Sequence, residues 1–352
     1  MSLTPMPANE VLAQLDMFDS VIDARSEDEY AEDRLPGAIN WPTLNNAERI
    51  EIGTLYKQVN PFEARKRGAA IAARNIAGHI ERDVIDKPKD WKPLTYCWRG
   101  GQRSGSLSLI LSQIGFRVTI VEGGYKAFRA AILQDTVQRV EQLKFQVVCG
   151  ATGNGKTRLL QAMRACGAQV LDLEDLANHR SSVLGAVPGL KQPSQKGFDT
   201  LIWNQLRLFD PTRPVFVESE SKKVGNLSVP TALIDAMRNS TCLNLVLADE
   251  ERVALLMEDY DHLVKDVDYF CGRLDALIAI KGRSVVQTWQ AQARAGEFSP
   301  VVLDLLHNHY DPAYLQSMVR NFKQFDSAAT LLPKDRSPES MTLIAQQVVS
   351  AC

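Results

Sequence analysis

The stretch 96–104, Y-C-W-R-G-G-Q-R-S, closes a short apolar strand and opens a helix with an apolar stripe. A cysteine in such a turn lies at the positive end of the helix dipole, where glycines leave backbone N–H groups uncovered. With Arg99 and Arg103 beside it, that field favours the thiolate over the thiol. Cys97 is therefore a candidate nucleophile and its loop a candidate oxyanion cradle. The alternative is a buried structural cysteine whose neighbouring arginines pair with carboxylates.

Length and composition bound the class of protein. A chain of 352 residues suggests two domains of roughly 100–200 residues each. Apolar residues make up 45% and charged residues 23%, which is typical of a soluble globular protein. The sequence contains no run of about 18 apolar residues, so no membrane-spanning helix is predicted. Its first residues lack the pattern of a secretory signal. We therefore expect a cytoplasmic protein without a membrane partner.

The cysteines and charges exclude some sites. The six cysteines, at positions 97, 149, 166, 242, 271 and 352, show no C-x-x-C pair, so neither a zinc site nor a disulfide framework is predicted. The net charge is −2, so composition does not indicate a nucleic-acid partner, which would need a local basic patch. A helix predicted over 62–82 carries five basic residues on one face, which we interpret as a solvated surface; they are Arg65, Lys66, Arg67, Arg74 and Arg82.

Four short motifs follow one another in the first third of the chain. They are D-A-R-S-E-D-E-Y (23–30), L-P-G-A-I-N-W-P (35–42), C-W-R-G-G-Q-R-S (97–104) and V-E-G-G-Y-K-A-F (121–128). Their order and spacing resemble a rhodanese domain over residues 8–135, which implies a parallel α/β sheet and sulfur-transfer chemistry at Cys97. The loop has a C-x5-R spacing, one residue longer than in many sulfurtransferases and shared with rhodanese-fold phosphatases. Either a persulfide-sized or a phosphate-sized species therefore fits the prediction.

A second motif begins directly after the apolar strand at 145–149. The sequence G-A-T-G-N-G-K-T (150–157) satisfies G-x-x-x-x-G-K-[ST] between a strand and a helix. Gly150 opens this P-loop, and Gly153, Asn154 and Gly155 are expected to let backbone N–H groups surround a diphosphate. Lys156 would reach the outer phosphate and Thr157 a magnesium ion.

A carboxylate at the end of a neighbouring strand completes the predicted metal site. The run P-V-F-V-E (214–218) ends at Glu218, which is the candidate to hold the water shell of Mg²⁺ beside Thr157. Asp172, in a second apolar run, is the rival candidate. Neither the strand pattern nor the spacing decides between them.

The predicted fold class is α/β. We expect an N-terminal rhodanese-like domain (1–135), a linker helix (136–143) and a P-loop NTPase-like parallel α/β domain with a helical C-terminal region (144–352). The strings V-L-D-L-E-D-L-A-N-H-R-S-S-V-L-G (170–185) and F-V-E-S-E-S-K-K-V-G (216–225) extend the resemblance to nearly the whole chain. With both domains, the sequence resembles the bacterial tRNA 2-selenouridine synthases.

That resemblance implies a transferase acting on tRNA whose wobble base is 2-thiouridine. It implies replacement of sulfur by selenium from selenophosphate, through an S-geranylated intermediate made from geranyl diphosphate, and a selenophosphate-supplying enzyme as a partner. Lys156 would then stabilise the departing diphosphate, whereas Cys97 would act on the activated base or on the selenium donor. Two alternatives remain open from the residues: an ATP-dependent kinase or ATPase with a rhodanese regulatory domain, and a rhodanese-fold phosphatase or phosphate-binding module.

Overall fold

The computed structural model describes residues 2–180, 189–261 and 265–351. The chain forms two compact units. Unit 1 comprises Met1–Arg139 and Pro193–Arg207, and unit 2 comprises Val140–Gln192 and Leu208–Cys352. Residues 181–185 of the string at 170–185, and Cys352, lie outside the described residues; the other five cysteines are free thiols.

Unit 1 is built on a five-stranded parallel sheet with the order β1-β5-β4-β2-β3. Its strands are β1 (Ser2–Met6), β2 (Ser20–Asp23), β3 (Ala38–Asn40), β4 (Pro93–Tyr96) and β5 (Arg117–Val121). Its helices are α1 (Ala8–Ala13), α2 (Glu27–Glu32), α3 (Asn46–Gln58), α4 (Pro61–Asp83), α5 (Gln102–Ile114), α6 (Gly124–Gln142) and α9 (Gln195–Leu206). The central strand β4 is buried along its whole length, so it delivers Cys97 from the core to the carboxyl edge of the sheet.

Local sequence signals explain where two of these helices begin and end. Ser26 and Glu29 form a capping box at the start of α2 and satisfy backbone N–H groups that the first helical turn leaves free. Gly115 ends α5 with a φ of +119°, a conformation that costs a glycine little. Both signals fix the entry and exit of helices that flank Cys97.

Unit 2 is also built on a five-stranded parallel sheet, with the order β12-β11-β6-β8-β7. These strands are β6 (Phe145–Cys149), β7 (Gln169–Leu171), β8 (Val215–Glu218), β11 (Thr241–Leu245) and β12 (Ala329–Leu331); β9 (Lys223–Val224) and β10 (Leu227–Ser228) form a small antiparallel pair. The described helices are α7 (Lys156–Ala165), α8 (Leu173–Ala177), α10 (Thr231–Asn239), α11 (Asp249–Asp259), α12 (Val267–Leu274), α13 (Ile278–Lys281), α14 (Arg283–Arg294), α15 (Phe298–Leu305), α16 (Asp311–Asn321) and α17 (Pro338–Ser350). Both parallel sheets and the helical C-terminal region confirm the predicted fold class.

The division of the chain differs from the predicted boundaries in two respects. The helix expected as a separate linker over 136–143 is the end of α6, because α6 runs without a break from Gly124 to Gln142. The segment Pro193–Arg207, predicted within the second domain, belongs to unit 1 instead. Its physical reason is Trp203 on α9, which is fully buried in the apolar core of unit 1 beside Phe128. Among the described residues, no helix is long and apolar enough to cross a membrane.

Candidate active sites

The Cys97 loop joins β4 to α5 and encloses a sulfur atom that is almost fully buried. The Sγ atom accepts a hydrogen bond from the backbone N–H of Gly101 at 3.3 Å and one from the Ser104 hydroxyl at 3.1 Å. Only 3% of Cys97 is exposed. These two donors fix the position of the sulfur at the start of α5.

The motif V-E-G-G-Y shapes this loop from the other side. The N–H groups of Tyr125 and Lys126, in the first turn of α6, donate to the carbonyl oxygens of Cys97 at 2.8 Å and Trp98 at 3.1 Å. Gly124 has a φ of +59°, and a Cβ atom there would lie 2.3 Å from the Cys97 carbonyl oxygen. The close approach therefore requires glycine, and the first turn of α6 engages the carbonyl oxygens of Cys97 and Trp98.

The two arginines of the loop have different surroundings. Arg103 pairs with Glu29 at 2.7 Å, and Arg49 of α3 pairs with the same carboxylate at 3.1 Å. Burial alone would raise the pKa of Glu29, but the hydrogen bond and charge of Arg103, with Arg49, lower it below its usual value. Arg99 is exposed and forms no ion pair within the described parts of the chain. The carboxylate pairing that the sequence left open thus applies to Arg103, whereas Arg99 is available to an incoming anion.

A buried charged pair lies under the same edge of the sheet. Arg25 and Asp23 are both fully buried and pair at 2.6 Å, and the Tyr96 hydroxyl donates to Asp23 at 2.7 Å. The Arg25 guanidinium stacks 4.0 Å from the centre of the Tyr125 ring. Arg25 of the D-A-R motif therefore packs against Tyr125, the last residue of the V-E-G-G-Y motif.

The P-loop of unit 2 connects β6 to α7. Gly153 and Gly155 have φ values of +83° and +81°, and Gly155 precedes the first residue of α7. The Lys156 ammonium group donates to the Gly150 carbonyl at 2.8 Å and lies 3.3 Å from a carboxylate oxygen of Glu218. Burial opposes the charge of Lys156, but Glu218 and three further groups raise its pKa above the usual value. Lys156 is therefore a permanent cation beside the loop.

Two predicted phosphate ligands of this loop have a different role. The N–H and the side-chain amide of Asn154 both donate to the Ala151 carbonyl, at 3.2 and 3.0 Å, and its side-chain oxygen accepts from the N–H of Leu247 at 2.6 Å. The Gly150 N–H donates to the hydroxyl of Tyr314 at 2.7 Å. Asn154 thus closes and anchors the loop instead of offering its N–H to a ligand, and the motif alone could not show this.

Three carboxylates converge beside Lys156. Oxygen atoms of Glu174, Glu218 and Glu220 lie within 4.8 Å of one another, and the Thr157 hydroxyl is 3.5 Å from Glu218. Asp172 instead accepts the N–H of Asp175 at 3.0 Å and caps α8. Of the two rivals in the sequence, only Glu218 therefore contacts the P-loop residues. Glu174 and Glu220 were not predicted, although the E-S-E string at 218–220 was a signal for one of them.

Burial raises the pKa of Glu218 to about 7, opposed by Lys156 and reinforced by Glu174 and Asp172. Because the unfolded state binds fewer protons than the folded state between the two pKa values, stability should fall as pH rises from about 4.5 to 7 and then level off. This decline amounts to up to about 3 kcal/mol in the free energy of unfolding, and we expect the Glu218→Gln variant to lack it. Urea denaturation from pH 5 to 8 measures it, with the exposed Glu297→Gln as a control that keeps the wild-type slope.

A cavity of about 690 Å³ adjoins the P-loop within unit 2. Its lining includes Lys156, Thr157 and the three carboxylates. It also includes an apolar and aromatic group, here called the apolar wall: Leu255, Leu256, Tyr260, Tyr310, Met318 and Phe322. Further charged residues, among them Arg158, Arg180 and Asp259, complete the lining. Its volume is that of a small-molecule site, and this mixed lining suits a ligand with one anionic and one apolar end.

Comparisons with known proteins give the family. Residues 7–131 match the model of the rhodanese-like domain, and residues 143–278 match that of the tRNA 2-selenouridine synthase AAA domain. A rhodanese-related protein of known structure from Thermoplasma volcanium is 18% identical over 36% of this chain and 89% of its own, with a TM-score of 0.24.

Curated relatives extend over more of the chain. The tRNA 2-selenouridine synthase of Nitrosomonas europaea is 34% identical over 68% of this chain, which spans only 63% of that relative's length. The enzyme of the same name from Alcanivorax borkumensis is 30% identical over 84% of this chain and 88% of its own. With both domain models in the expected order and a relative covered almost from end to end, this chain belongs to the tRNA 2-selenouridine synthase family.

Proposed function

We propose that the protein is a transferase that replaces the sulfur of 2-thiouridine, at the wobble position of tRNA, by selenium from selenophosphate. The reaction passes through an S-geranylated base made from geranyl diphosphate. A selenophosphate-supplying enzyme serves it as a partner in the cytoplasm. The observation that carries the proposal is the cavity of unit 2, in which a phosphate-binding loop and an apolar wall line the same space.

Geranyl diphosphate has one anionic and one apolar end, which suit the mixed lining of this cavity. Its diphosphate would lie at the P-loop, held by Lys156 and the free N–H groups that lead into α7. Its isoprenoid chain would pack against the apolar wall, where Met318 and Phe322 are themselves buried. An adenine nucleotide is the other ligand that a P-loop admits, and rapid ATP hydrolysis without tRNA would favour a kinase or ATPase instead.

The carboxylates beside the P-loop fit a hard divalent cation such as Mg²⁺. Glu174, Glu218 and Glu220 supply the oxygen ligands that Mg²⁺ prefers, and the Thr157 hydroxyl lies next to them. When bound, the ion would neutralise charge on the diphosphate. Burial disfavours three negative charges at one place. The protein's own contribution is to hold the three carboxylates together despite that cost.

The first step forms a carbon–sulfur bond and breaks a carbon–oxygen bond. The thiocarbonyl sulfur of the base attacks the first carbon of the geranyl group, the bond from that carbon to diphosphate breaks, and the N3 proton of the base is released to water. The electron pair leaves on the diphosphate, whose growing charge Lys156 and the loop N–H groups stabilise. S-alkylation converts the sulfur into a better leaving group for the next step.

The second step belongs to the Cys97 loop. Selenophosphate carries oxyanions that suit Arg99 and the N–H groups directed into this loop. Cys97 is the candidate nucleophile there, and both the geranylated base and the selenium donor are compatible targets. In the net reaction, a carbon–selenium bond forms at the base, the carbon–sulfur bond breaks and geranylthiol leaves, and water cleaves the phosphorus–selenium bond to release phosphate. The donors from Gly101 and Ser104 keep the sulfur in place for either attack.

Replacing Cys97 with serine tests this assignment. We expect selenouridine formation to fall at least about 100-fold while geranyl transfer continues, because a serine hydroxyl is a far weaker nucleophile at neutral pH. Mass spectrometry of thiolated tRNA digested after reaction with geranyl diphosphate and selenophosphate measures both products. Cys166→Ser, at the partly buried residue that follows α7, is the matched control. Wild-type selenouridine formation by Cys97→Ser would remove Cys97 from the mechanism.

A further inference from the structure

Helices α3 and α4 form a hairpin, here called the helical arm (Asn46–Gln58 and Pro61–Asp83), that projects from unit 1. No residue of α3 is buried, and the 23-residue α4 buries only three side chains. The apolar side chains of Tyr56, Val59 and Phe62 are 51%, 71% and 63% exposed. Such a cluster of exposed apolar groups at a helix junction is characteristic of an interaction surface.

The same end of the arm is strongly basic. The stretch 56–67, Y-K-Q-V-N-P-F-E-A-R-K-R, contains four basic residues and one acidic residue, a local charge of +3 in a chain of net charge −2. Lys57 and Arg65 form no ion pair with any residue that the structure describes. Lys66 and Arg67 pair with Glu63 and Glu51, but these side chains are about half exposed or more, so the pairs contribute little and open readily.

Aromatic and basic groups alternate on this surface. The Lys66 ammonium group lies 5.1 Å from the centre of the Phe62 ring, and Tyr56 comes from the end of the neighbouring helix. Exposed rings beside lysines and arginines match the chemistry of RNA, whose bases stack on rings while its phosphates pair with cations. The excess of positive charge favours a polyanion over a neutral partner surface.

The base of the arm lies beside the Cys97 loop. Arg49, in the first turn of α3, pairs with Glu29, and Glu29 also pairs with Arg103 of the loop. From Arg49 to Gln58 the helix runs nine residues, which at 1.5 Å per residue is about 14 Å. This distance is the length of a few nucleotides. The phosphates next to a nucleotide bound at the Cys97 loop would therefore be able to reach the basic end of the arm along α3.

We propose that the basic end of the helical arm binds the phosphate backbone of the tRNA next to the base that enters the Cys97 loop. This inference rests on the proposed function, since it names the surface that holds the substrate. It also replaces the interpretation of Arg65, Lys66 and Arg67 as a merely solvated face. Charge complementarity selects RNA as the occupant, and a second copy of the chain is the competing outcome.

The test uses the full chain with the triple substitution Arg65→Ala, Lys66→Ala and Arg67→Ala. The matched control is Lys89→Ala, Lys92→Ala and Arg117→Ala, three exposed cations elsewhere on unit 1. Fluorescence anisotropy with labelled tRNA is followed from 50 to 200 mM salt. We expect the arm variant to bind at least about 10-fold more weakly, with a salt slope reduced by about 2 to 3, while the control keeps wild-type values.

Each of the other outcomes contradicts either the tRNA-binding role of the arm or the proposed function. Equal affinity of the arm variant and the control would reject the arm as the tRNA surface, while leaving the proposed function intact. A wild-type protein that binds no tRNA would reject both. A smaller mass in light scattering with unchanged tRNA affinity would identify the arm as an interface between copies of this chain, and would reject the RNA assignment.

Discussion

Replacing Lys156 with alanine is expected to abolish geranyl transfer, with a rate loss of at least about 100- to 1000-fold. The ammonium group lies in the P-loop, 2.8 Å from the Gly150 carbonyl, and lines the cavity. In the proposed step the negative charge grows on the leaving diphosphate, so removing this cation costs more in the transition state than in the bound substrate. Rates are measured with thiolated tRNA and geranyl diphosphate by mass spectrometry.

Two controls separate this chemical effect from a loss of folding. Lys144→Ala removes an exposed lysine just before β6 and should transfer geranyl at the wild-type rate. Lys156→Arg keeps the charge but not the compact ammonium group, so it should recover only part of the rate. If Lys156→Ala transfers geranyl as fast as the wild type, the P-loop is not the diphosphate site. Isothermal titration calorimetry with diphosphate alone should rank the binding affinities in the same order as the rates: wild type, then Lys156→Arg, then Lys156→Ala.

The local parts of both sites were predictable, because each follows from a few consecutive residues. The P-loop needs positive φ values at Gly153 and Gly155, and the Cys97 loop needs a glycine at position 124 for its close contact. Glycine is the residue that adopts such geometry without strain, so the motif specifies the backbone. Family resemblance then supplied the order of the two units.

The long-range parts were not predictable from the same signals. The pairing of Arg103 with Glu29 joins residues 74 positions apart, and Glu174 approaches Glu218 only because β7 and β8 are neighbours in the sheet. The N–H of Asn154 looked available in the motif, yet the turn itself uses it. The contacts of Arg103 and Glu174 depend on the packed fold, which periodicity and capping signals do not specify, whereas the Asn154 contact is local to the turn.

The membership of α9 in unit 1 has the same origin. Its sequence gives no sign that it leaves the second half of the chain, because an amphipathic helix can cover any apolar face. Polar side chains at the edges of the buried face of α9 select unit 1 as its packing partner. Asp199 pairs with Arg129 at 2.7 Å, and the Thr200 hydroxyl donates to the buried Asp33 at 3.0 Å. Burial raises the pKa of Asp33, so the charged carboxylate needs a donor such as the Thr200 hydroxyl.

Trp203→Ala is expected to destabilise unit 1 by about 3–5 kcal/mol, the usual cost of removing a buried tryptophan. The ring is fully buried and packs edge to face on Phe128 at 5.8 Å, while its N–H donates to Asp135 at 2.7 Å. The substitution leaves a cavity and a carboxylate without this donor. Urea denaturation of the full chain, followed by circular dichroism, measures the change.

Leu201→Ala on the same helix is the matched control, because 40% of that side chain is already exposed and the loss should stay below about 1 kcal/mol. A second measurement uses the fragment 1–142, which ends with α6 and lacks α9. This fragment should unfold without a cooperative transition, since the apolar surface around Phe128 that Trp203 covers would face water. If the fragment unfolds cooperatively with the stability of unit 1 in the whole chain, α9 is only an attachment, and the division predicted at residue 135 describes an independent domain. A cooperative transition that appears only when residues 193–207 are restored would make α9 a structural part of the unit that carries Cys97.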